Sequence, residues 1–562
     1  MKENKQGLTR REFLELGAAG AATAALGAPT AFAETPKRGG TLTCGMAWMI
    51  QVPDPQRYTG TWARQASALS YEGLTTPTPV GERLRITKEK GPDAVPDVLP
   101  MLAENWEIEK GGSRYIFHLK KGVKFHNGKE FDSADVKWSW ERIKDPVHVC
   151  SARKMLTEFL KSIDMPDRYT IVANLDRPYG GFLKASAWCN SPLLPKDSIP
   201  YGVTWGQTPS FKPPTPAPPG TGPFKLVKFQ QKLEAVYERF DDYYVPGLPY
   251  LDKVIYKVIP KATPRSLSLR AKNVDYAYGV ESNWLSKVLE GRKINELITL
   301  EKEGIKLFPR INSVTFSIFL NSHDQADTPF KDERVRQALD YCIDRKQFAQ
   351  ALYGNLGIPM AQGFHPAISS WGYPDIKPRE PNIEKARKLL KEAGYPNGLD
   401  VELKIFPAWG RMDKAAQIIQ QMAGRAGFRF KINVKSGIQY WSGTRVYKYH
   451  SKIYLLGGDD PQHFYYLFLH TEAAKPSNGY APSTGVKDPI MDKLLEEQAG
   501  EIDIKKRRAA FKKVVLYNNE KAYLLPYAAA IGSDGWTMKL KNFRPWDYFM
   551  PQQAFRETWL ES

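Results

Sequence analysis

The sequence predicts a mixed α/β protein that is built from several domains. Its 562 residues are too many for one hydrophobic core, and two to four domains are expected. Short strand-like runs alternate with capped amphipathic helices along the chain, which favours a mixed α/β architecture. No internal repeat with a period of about 20 to 50 residues is visible, and this argues against a solenoid or a propeller.

The N-terminus has the features of an export signal. Twin arginines, Arg10 and Arg11, precede an Ala/Gly-rich stretch over residues 16–28, and Ala31-Phe32-Ala33 suits a signal peptidase. An amphipathic helix is disfavoured because the Ala/Gly run lacks large apolar residues. Residues 1–33 are therefore predicted to be a twin-arginine signal peptide, with the export machinery as a partner. The mature chain is expected to start near Glu34 as a soluble periplasmic protein.

The cysteines and histidines do not form a recognisable metal or cofactor motif. The four cysteines are too few for a disulfide scaffold and have no CxxC spacing, and the eight histidines form no close pair. We predict no metal site and no cofactor. One disulfide is compatible with export, but the sequence does not choose among the pairings of Cys44, Cys150, Cys189 and Cys342. A lipid anchor at Cys44 is disfavoured because the small residues expected before a lipidated cysteine are missing.

The formal net charge is +19, from 80 basic and 61 acidic residues. The leader has four basic and three acidic residues, so nearly all of this charge stays with the mature chain. The basic residues are scattered and form no block of the kind that follows phosphates, which argues against nucleic acid as a partner. A solvated basic surface is the default interpretation, and a preference for acidic ligands or for an anionic membrane surface is the alternative.

The most informative stretch is residues 122–136, GVKFHNGKEFDSADV. Upstream, apolar and polar residues alternate over 114–120, which predicts a half-buried strand. Asn127-Gly128 predicts a hairpin turn because both residues tolerate positive φ. Asp132 or Ser133 is expected to cap a following helix. His126 lies beside the turn and is interpreted as a hydrogen-bonded scaffold histidine.

Three further segments have clear local structure. The proline-rich run over 208–223 can form neither a helix nor a central strand, and it lacks the Lys-Ser/Thr and following helix of a phosphate-binding loop. Asp332 is expected to cap a helix whose buried face includes Val335 and Leu339. The apolar spacing over 382–393, ended by Gly394 and Pro396, predicts a second helix.

These motifs together resemble the family 5 extracellular solute-binding proteins. The resemblance includes residues 122–136, the PGTGPF element at 219–224, the PF-D-RVR-AL segment at 329–339 with Asp344-Arg345, and EKARKLLKEAGYPNG at 384–398. Gly39 to Thr43, Asp54-Pro55 and the YEGL at 71–74 resemble the family's early elements, and Leu525-Pro526-Tyr527 fits loosely. Several ordered motifs across the mature chain are far more specific than any one of them.

The resemblance implies a two-lobed fold of the periplasmic-binding-protein type, with an extra domain on the first lobe and a hinge between the lobes. The implied divisions are the first lobe over 34–68, 191–280 and 528–562, the extra domain over 69–190, and the second lobe over 281–527. A monomer is expected.

The resemblance also implies a carrier. The first expectation is a periplasmic protein that captures peptides or peptide-like solutes and delivers them to the permease of an ATP-binding cassette importer. Oligosaccharides or sugar-amino-acid conjugates are the alternative, because the 14 tryptophans could stack on sugars. A nickel or haem carrier is less favoured. A secreted hydrolase is least favoured, because no GxSxG, HExxH or Cys-centred signature is present.

Candidate ligand contacts lie near the expected crossings between the lobes. Ligand sites combine aromatic surfaces with a few polar groups. In peptide-binding relatives an aspartate in the region comparable to GGDDP, residues 457–461, pairs with the peptide's α-amino group. The spacing here is shorter, so either Asp459 is the anchor or both acids form a turn and cap. The candidate site residues are Trp48, Tyr278, Gly279, Asn312, Val314, Trp409, Trp441, Asp459 and Asp460.

Overall fold

The structure is a computed structural model of the full chain. It describes residues 35–47, 54–56, 67–78, 86, 89–90, 95–145, 153–157, 159–187, 191–200, 203, 215–292, 297–311, 315–366, 369, 371–407, 411–436, 439–440, 449–456, 460–461, 465–474, 484–544 and 551–561. The predicted signal peptide lies outside these residues.

The strands of the described residues are short, except for one near the C-terminus. They are β1 (Thr41–Met46), β2 (Thr75–Pro77), β3 (Val98–Pro100), β4 (Ala103–Glu109), β5 (Arg114–Leu119), β6 (Leu160–Asp167), β7 (Thr170–Leu175), β8 (Phe224–Gln230), β9 (Glu234–Arg239), β10 (Lys253–Val258), β11 (Tyr276–Ala277), β12 (Ile298–Leu300), β13 (Ile305–Ile311), β14 (Thr315–Leu320), β15 (Gly357–Pro359), β16 (Leu399–Ile405), β17 (Phe428–Val434), β18 (Ser451–Leu456), β19 (Leu524–Thr537), β20 (Leu540–Lys541) and β21 (Trp559–Leu560).

The α-helices of the described residues alternate with these strands. They are α1 (Ser133–Lys144), α2 (Arg153–Thr157), α3 (Phe182–Ala185), α4 (Ala262–Arg270), α5 (Ser282–Val288), α6 (Glu333–Cys342), α7 (Arg345–Tyr353), α8 (Ile383–Glu392), α9 (Met412–Gly424), α10 (Leu467–Leu469), α11 (Pro489–Gly500) and α12 (Ile504–Lys521).

One large sheet is shared by two lobes. The first lobe contains β8, β9, β10, β1 and β11 in that spatial order, together with β12 and β13. The second lobe contains β17, β16, β18 and β14, together with β15. The strand β19 pairs with strands of both lobes. It is antiparallel to β11 and β13 of the first lobe and to β14 and β15 of the second lobe. This arrangement confirms the predicted mixed α/β, two-lobed fold.

A separate four-stranded antiparallel sheet, β4-β5-β7-β6, forms the extra domain. Its core contains Tyr115, Phe117 and Trp140, all buried, with Trp140 contributed by α1. Alternate side chains of β5 are buried, as the sequence pattern predicted. The side chain of Asp132 caps α1, and Asp135 returns the bond in a capping box.

The hairpin turn and the scaffold histidine are also confirmed. Gly128 has φ +85°, in the left-handed region that glycine tolerates. His126 Nε2 donates to the Gly222 carbonyl oxygen at 2.9 Å, and its Nδ1 accepts from the Gly220 amide at 3.3 Å. The histidine therefore ties the extra domain to the PGTGPF element that leads into β8.

A buried carboxylate reinforces the same junction. Glu72 of the YEGL element accepts hydrogen bonds from Thr221, Tyr243 and Tyr244 at 3.0 to 3.1 Å. Burial raises the pKa of Glu72, while the Arg556 charge and the hydroxyl groups of Thr221 and Tyr243 act in the opposite direction. The early YEGL motif and the PGTGPF element are thus held together by direct contact.

The two helices predicted from their caps form as expected. Asp332 caps α6 by accepting from the Arg334 amide, and Val335, Ala338, Leu339 and Cys342 are buried. Asp344 caps α7, which Arg345 begins. Asn382 caps α8, whose Ala386 and Leu390 are buried. These helices cover one face of the second-lobe sheet.

Cys44 and Cys342 are buried free thiols. Cys150 and Cys189 lie outside the described residues. Among the residues that the structure describes, a helix with the length and hydropathy to cross a bilayer was not found.

Candidate ligand site between the two lobes

The connection between the lobes consists of neighbouring strands. Residues 531–537 of β19 pair with β13, and residues 524–528 pair with β14. The strand β13 thus pairs with the C-terminal half of β19 in the first lobe, and β14 pairs with its N-terminal half in the second lobe. A ladder shared in this way keeps the lobes aligned while the backbone between the ladders bends.

Tyr278 and Gly279 form a fixed turn directly after β11. Tyr278 is buried, and its amide donates to the Gly45 carbonyl oxygen at 2.9 Å. Gly279 has φ +71°, which explains the glycine at this position. The Gly279 amide donates to Asp534 Oδ1 at 2.9 Å. The turn is therefore anchored to β1 on one side and to β19 on the other.

Two buried charged residues hold this turn from both sides. Asp534 also accepts from the Tyr276 hydroxyl at 2.8 Å. Arg265 donates to the Gly279 carbonyl oxygen from Nε at 3.1 Å and from Nη2 at 2.8 Å. Burial lowers the pKa of Arg265, and the nearby Asp534 charge offsets part of that effect. The end of the first lobe at the crossing is thus a rigid platform.

Asp460, in the GGDDP segment, forms a buried ion pair with Arg507 of α12. Both side chains are 1% exposed, and the two carboxylate oxygens each accept from the guanidinium at 3.0 Å. Arg507 also lies over the Trp371 ring, 5.0 Å from its centroid. Burial alone would lower the pKa of Arg507, but the charges of Asp460 and Asp97 together with the hydrogen bond to Asp460 raise it. Bidentate pairing of this kind fixes the position of Asp460 against α12.

Two buried lysines lie on adjacent strands of the second lobe. Lys404 of β16 and Lys452 of β18 are register partners. The Lys452 ammonium lies 5.2 Å from the ring centroids of Phe319 and Tyr454, and 5.5 Å from that of Tyr449. Burial lowers the pKa of Lys404 to about 8, with Glu402 acting in the opposite direction and Lys435 adding to the effect. Burial also lowers the pKa of Lys452 well below its usual value, and the Lys404 charge lowers it further. The faces of these aromatic rings attract a cation and so offset part of the cost of burying the Lys452 ammonium.

The structure describes three of the nine predicted site residues. Tyr278 and Gly279 lie at the first-lobe end of the crossing, and Asp460 lies after β18 in the second lobe. Asp460 is engaged by Arg507 on both oxygens. The other six predicted residues, Trp48, Asn312, Val314, Trp409, Trp441 and Asp459, lie outside the described residues.

Sequence reasoning missed the partners that hold these residues. Arg507 lies in the run KKRR, which has the pattern of a solvated helix face, and it is 47 residues from Asp460. Asp534 is 255 residues from Gly279. Neither pairing can be recognised from neighbouring residues, because the partners are far apart in the sequence. The acidic residue before Pro461 is the one local sign that a basic partner is needed.

Within the described part of the chain, no group of three His, Cys, Asp or Glu side chains is placed to hold a metal ion.

Comparison with protein families identifies the fold. Residues 97–476 match the model for bacterial extracellular solute-binding proteins, family 5 Middle. This match covers more than half of the chain.

Two curated proteins are similar over most of their length. The chain is 28% identical to heme-binding protein A of Haemophilus influenzae over 473 residues, covering 80% of this chain and 82% of that protein. It is 26% identical to the dipeptide-binding protein of Escherichia coli K12 over 457 residues, covering 77% and 81%.

A solved structure has the same fold. The periplasmic binding protein DppA of Helicobacter pylori, in complex with the peptide STSA, matches with a TM-score of 0.73 at 23% identity. The match covers 94% of this chain and 99% of that one.

Proposed function

Because this chain belongs to family 5 of the bacterial extracellular solute-binding proteins, we propose that it captures peptides or peptide-like solutes for import. The captured solute passes to the membrane permease of an ATP-binding cassette transporter. The observation that carries the proposal is the family match over residues 97–476, together with similarity to a dipeptide-binding protein over 77% of the chain. The family consists of solute-binding proteins, so binding without chemical change is the expected activity.

The ligand is held in the cleft next to the crossing strands. In this proposal Trp48, Trp409 and Trp441 supply aromatic surfaces, Tyr278-Gly279 and the residues 312–314 supply the hinge side, and Asp459 pairs with a ligand amine. The bidentate bond of Asp460 to Arg507 supports a structural role for that carboxylate and leaves Asp459 for the ligand. A charge-assisted contact of this kind contributes about 1.5 to 3 kcal/mol to binding.

A second candidate ligand is haem. The similarity to heme-binding protein A extends over 80% of the chain at 28% identity, slightly above the identity to the dipeptide-binding protein. The proposed cleft is lined by aromatic residues, which suits a flat macrocycle as well as peptide side chains. The two ligands differ in their need for an acidic anchor, since only a peptide offers an α-amino group to Asp459.

The setting of the protein completes the proposal. Residues 1–33 direct export through the twin-arginine machinery and are removed near Ala33, and the mature chain acts in the periplasm as a monomer. The domain boundaries at about residues 68, 190 and 527 are part of the same proposal, and the boundary predicted near residue 280 moves to the end of β13, because β12 and β13 pack with the first lobe. The position of β19 across residues 524–537 supports a return to the first lobe in this region.

A thermal-shift panel on the chain from residue 34 tests the ligand class. The probes are di- and tripeptides, N-acetylated forms of the same peptides, cello-oligosaccharides, opine-like conjugates, haem and Ni²⁺. A ligand at about 100 times its Kd stabilises the folded chain by about 2.7 kcal/mol. We expect stabilisation by free peptides, and weaker stabilisation by acetylated peptides or in Asp459→Asn. A response to haem, sugars or Ni²⁺ alone would contradict the peptide proposal.

A further inference from the structure

Arg345 and Tyr527 bring two buried polar groups together in the core of the second lobe. Arg345 begins α7, is 5% exposed and lies over the Tyr527 ring, with Cζ 5.1 Å from the ring centroid. Tyr527, in β19, is fully buried. Within the described part of the chain, neither Arg345 Nη1 nor the Tyr527 hydroxyl has a hydrogen-bond partner. Buried polar atoms normally have one, so two such atoms on neighbouring side chains need a physical reason.

A β-bulge holds Tyr527 against α7. The β14/β19 register shifts between Phe316 and Ser317, which leaves Tyr527 as an extra residue of β19 opposite β14. The Tyr527 ring packs on Phe348 of α7, with 5.5 Å between the ring centroids. Bulges often re-aim a side chain next to a functional site. This bulge places the tyrosine beside the Arg345 guanidinium.

The other two nitrogens of the guanidinium fix its position. Arg345 Nε donates to the Pro526 carbonyl oxygen at 3.1 Å, and Nη2 donates to Asp340 Oδ1 at 2.6 Å. A second guanidinium, that of Arg379, pairs with Asp340 Oδ2 at 2.8 Å. Nη1 is therefore held in one place by bonds that its neighbours make.

The charges around this position do not balance. Among the described residues of the cluster, the guanidiniums of Arg345 and Arg379 share the single carboxylate of Asp340, which leaves one surplus positive charge. Asp344 is engaged by the first amides of α7. The Cys342 thiol does not compensate, because burial, aided by the Asp340 charge, raises its pKa to about 12. A buried charge without full compensation is costly, so a further negative charge would stabilise the cluster.

The chemistry of the two polar groups selects the kind of ligand. A guanidinium N–H can only donate a hydrogen bond. Burial and the Asp340 charge raise the pKa of Tyr527, although Arg345 acts in the opposite direction, so the hydroxyl keeps its proton and can also donate. A small anion accepts from both donors and neutralises the surplus charge. A water molecule would bring two O–H groups of its own that need acceptors.

We propose that Arg345 Nη1 and the Tyr527 hydroxyl bind a small monovalent anion, of the size of chloride, in the core of the second lobe. The anion ties the first turn of α7 to the bulge of β19 and completes the charge balance of the cluster. This site goes beyond the proposed function, because it concerns the stability of the second lobe and needs no solute.

Melting temperatures of the chain from residue 34, in sodium chloride and in sodium gluconate of equal ionic strength, test the site. Gluconate has the same charge as chloride but is too large for a buried position of this kind. We expect the parent to melt about 1 to 3 °C higher in chloride, because the anion binds only the folded chain. Equal melting temperatures in the two salts would overturn the proposal.

Tyr527→Phe removes one of the two donors and keeps the ring, so it should lose most of the chloride effect. Tyr115→Phe is the matched control, because Tyr115 is also buried but its hydroxyl donates to the Tyr179 carbonyl oxygen at 2.7 Å. The control should melt lower than the parent in both salts and keep the full chloride effect. If Tyr527→Phe does not fold, Arg345→Lys replaces it, since lysine keeps the charge and removes Nη1. A chloride effect that persists undiminished in the folded variant would contradict the site.

Crystals of the same chain grown in sodium bromide locate the anion directly. We expect an anomalous bromide peak in contact with both Arg345 Nη1 and the Tyr527 hydroxyl. Density for water alone, or the absence of a bromide peak there, would show that the two groups do not form an anion site. Both measurements are made without solute, so a failure to bind peptides would refute the proposed function and leave this result intact.

Discussion

At the scale of single residues, the protein relies on buried charges that are paired across long sequence distances. Asp460 and Arg507 are both 1% exposed and joined by two hydrogen bonds. Removing one member of such a pair leaves the other charge buried without compensation, whereas replacing both by apolar residues costs much less. The two acids of GGDDP therefore have different expected roles.

Asp460→Ala is expected to destabilise the second lobe by about 3 to 5 kcal/mol, because Arg507 stays buried and loses its partner. Urea denaturation monitored in the second lobe measures this loss. The double variant Asp460→Leu/Arg507→Met should recover much of it. Asp459→Ala is the matched control and should keep the parent's stability while weakening peptide binding. If Asp460→Ala is as stable as the parent but no longer binds, Asp460 is the ligand anchor and the assignment is reversed.

His126 predicts a pH dependence of stability. Burial lowers its pKa to about 4, which outweighs the hydrogen bond to Gly222, and Lys225 lowers it further. The unfolded side chain titrates near pH 6.5, so the unfolded state binds the proton more readily. The contribution of the neutral His126 ring to the free energy of unfolding is fully present above pH 6.5 and is lost as the pH falls toward 4. The loss is on the order of 1 to 3 kcal/mol.

Melting temperatures between pH 7.5 and pH 4.5 measure this effect. His126→Gln should be less stable than the parent at pH 7.5 and should show a shallower decline with acid. His118→Gln is the control, since His118 is an exposed residue that pairs with Glu107 on β4. An unchanged slope in His126→Gln would show that other groups cause the acid sensitivity.

At the scale of elements, local chemistry predicts helices better than it predicts the crossing. The caps at Asp132, Asp332 and Asn382 each have a side chain that accepts from the first-turn amides, so the sequence locates α1, α6 and α8 closely. The strand β19 has no such signal. Its sequence, LLPYAAAIGSDGWT, contains one proline and two glycines, which are uncommon in strands.

The elements packed against β19 accommodate its proline and glycines. The β14/β19 register shifts between Phe316 and Ser317, next to the position of Pro526. At Gly535 a methyl group would collide with Leu269 and Leu307, so the absence of a side chain permits close packing in the first lobe. Tertiary packing rather than local propensity makes this segment a strand. The sequence could therefore predict the family and the helices with clear caps, α1, α6 and α8, but not the pairings that fix the candidate site.

At the scale of the whole molecule, the two lobes share β19, and residues 499–502 also contact Gly112 and Gly180. Ligand contacts that exist only in the closed state would shift the closure equilibrium, as in other hinge-closing binding proteins. The net positive charge of +19 is spread over the chain and is compatible with attraction of acidic solutes. The central claim is that the molecule holds a peptide-like solute between its lobes and releases it unchanged.

The most direct measurement is calorimetric titration of the chain from residue 34 with the most stabilising peptide, followed by mass spectrometry of the released ligand. We expect one peptide per chain and recovery of the peptide at its original mass. Asp459→Ala should weaken the titration without changing the ratio. The absence of any saturable peptide binding, or recovery of hydrolysed peptide, would contradict the account.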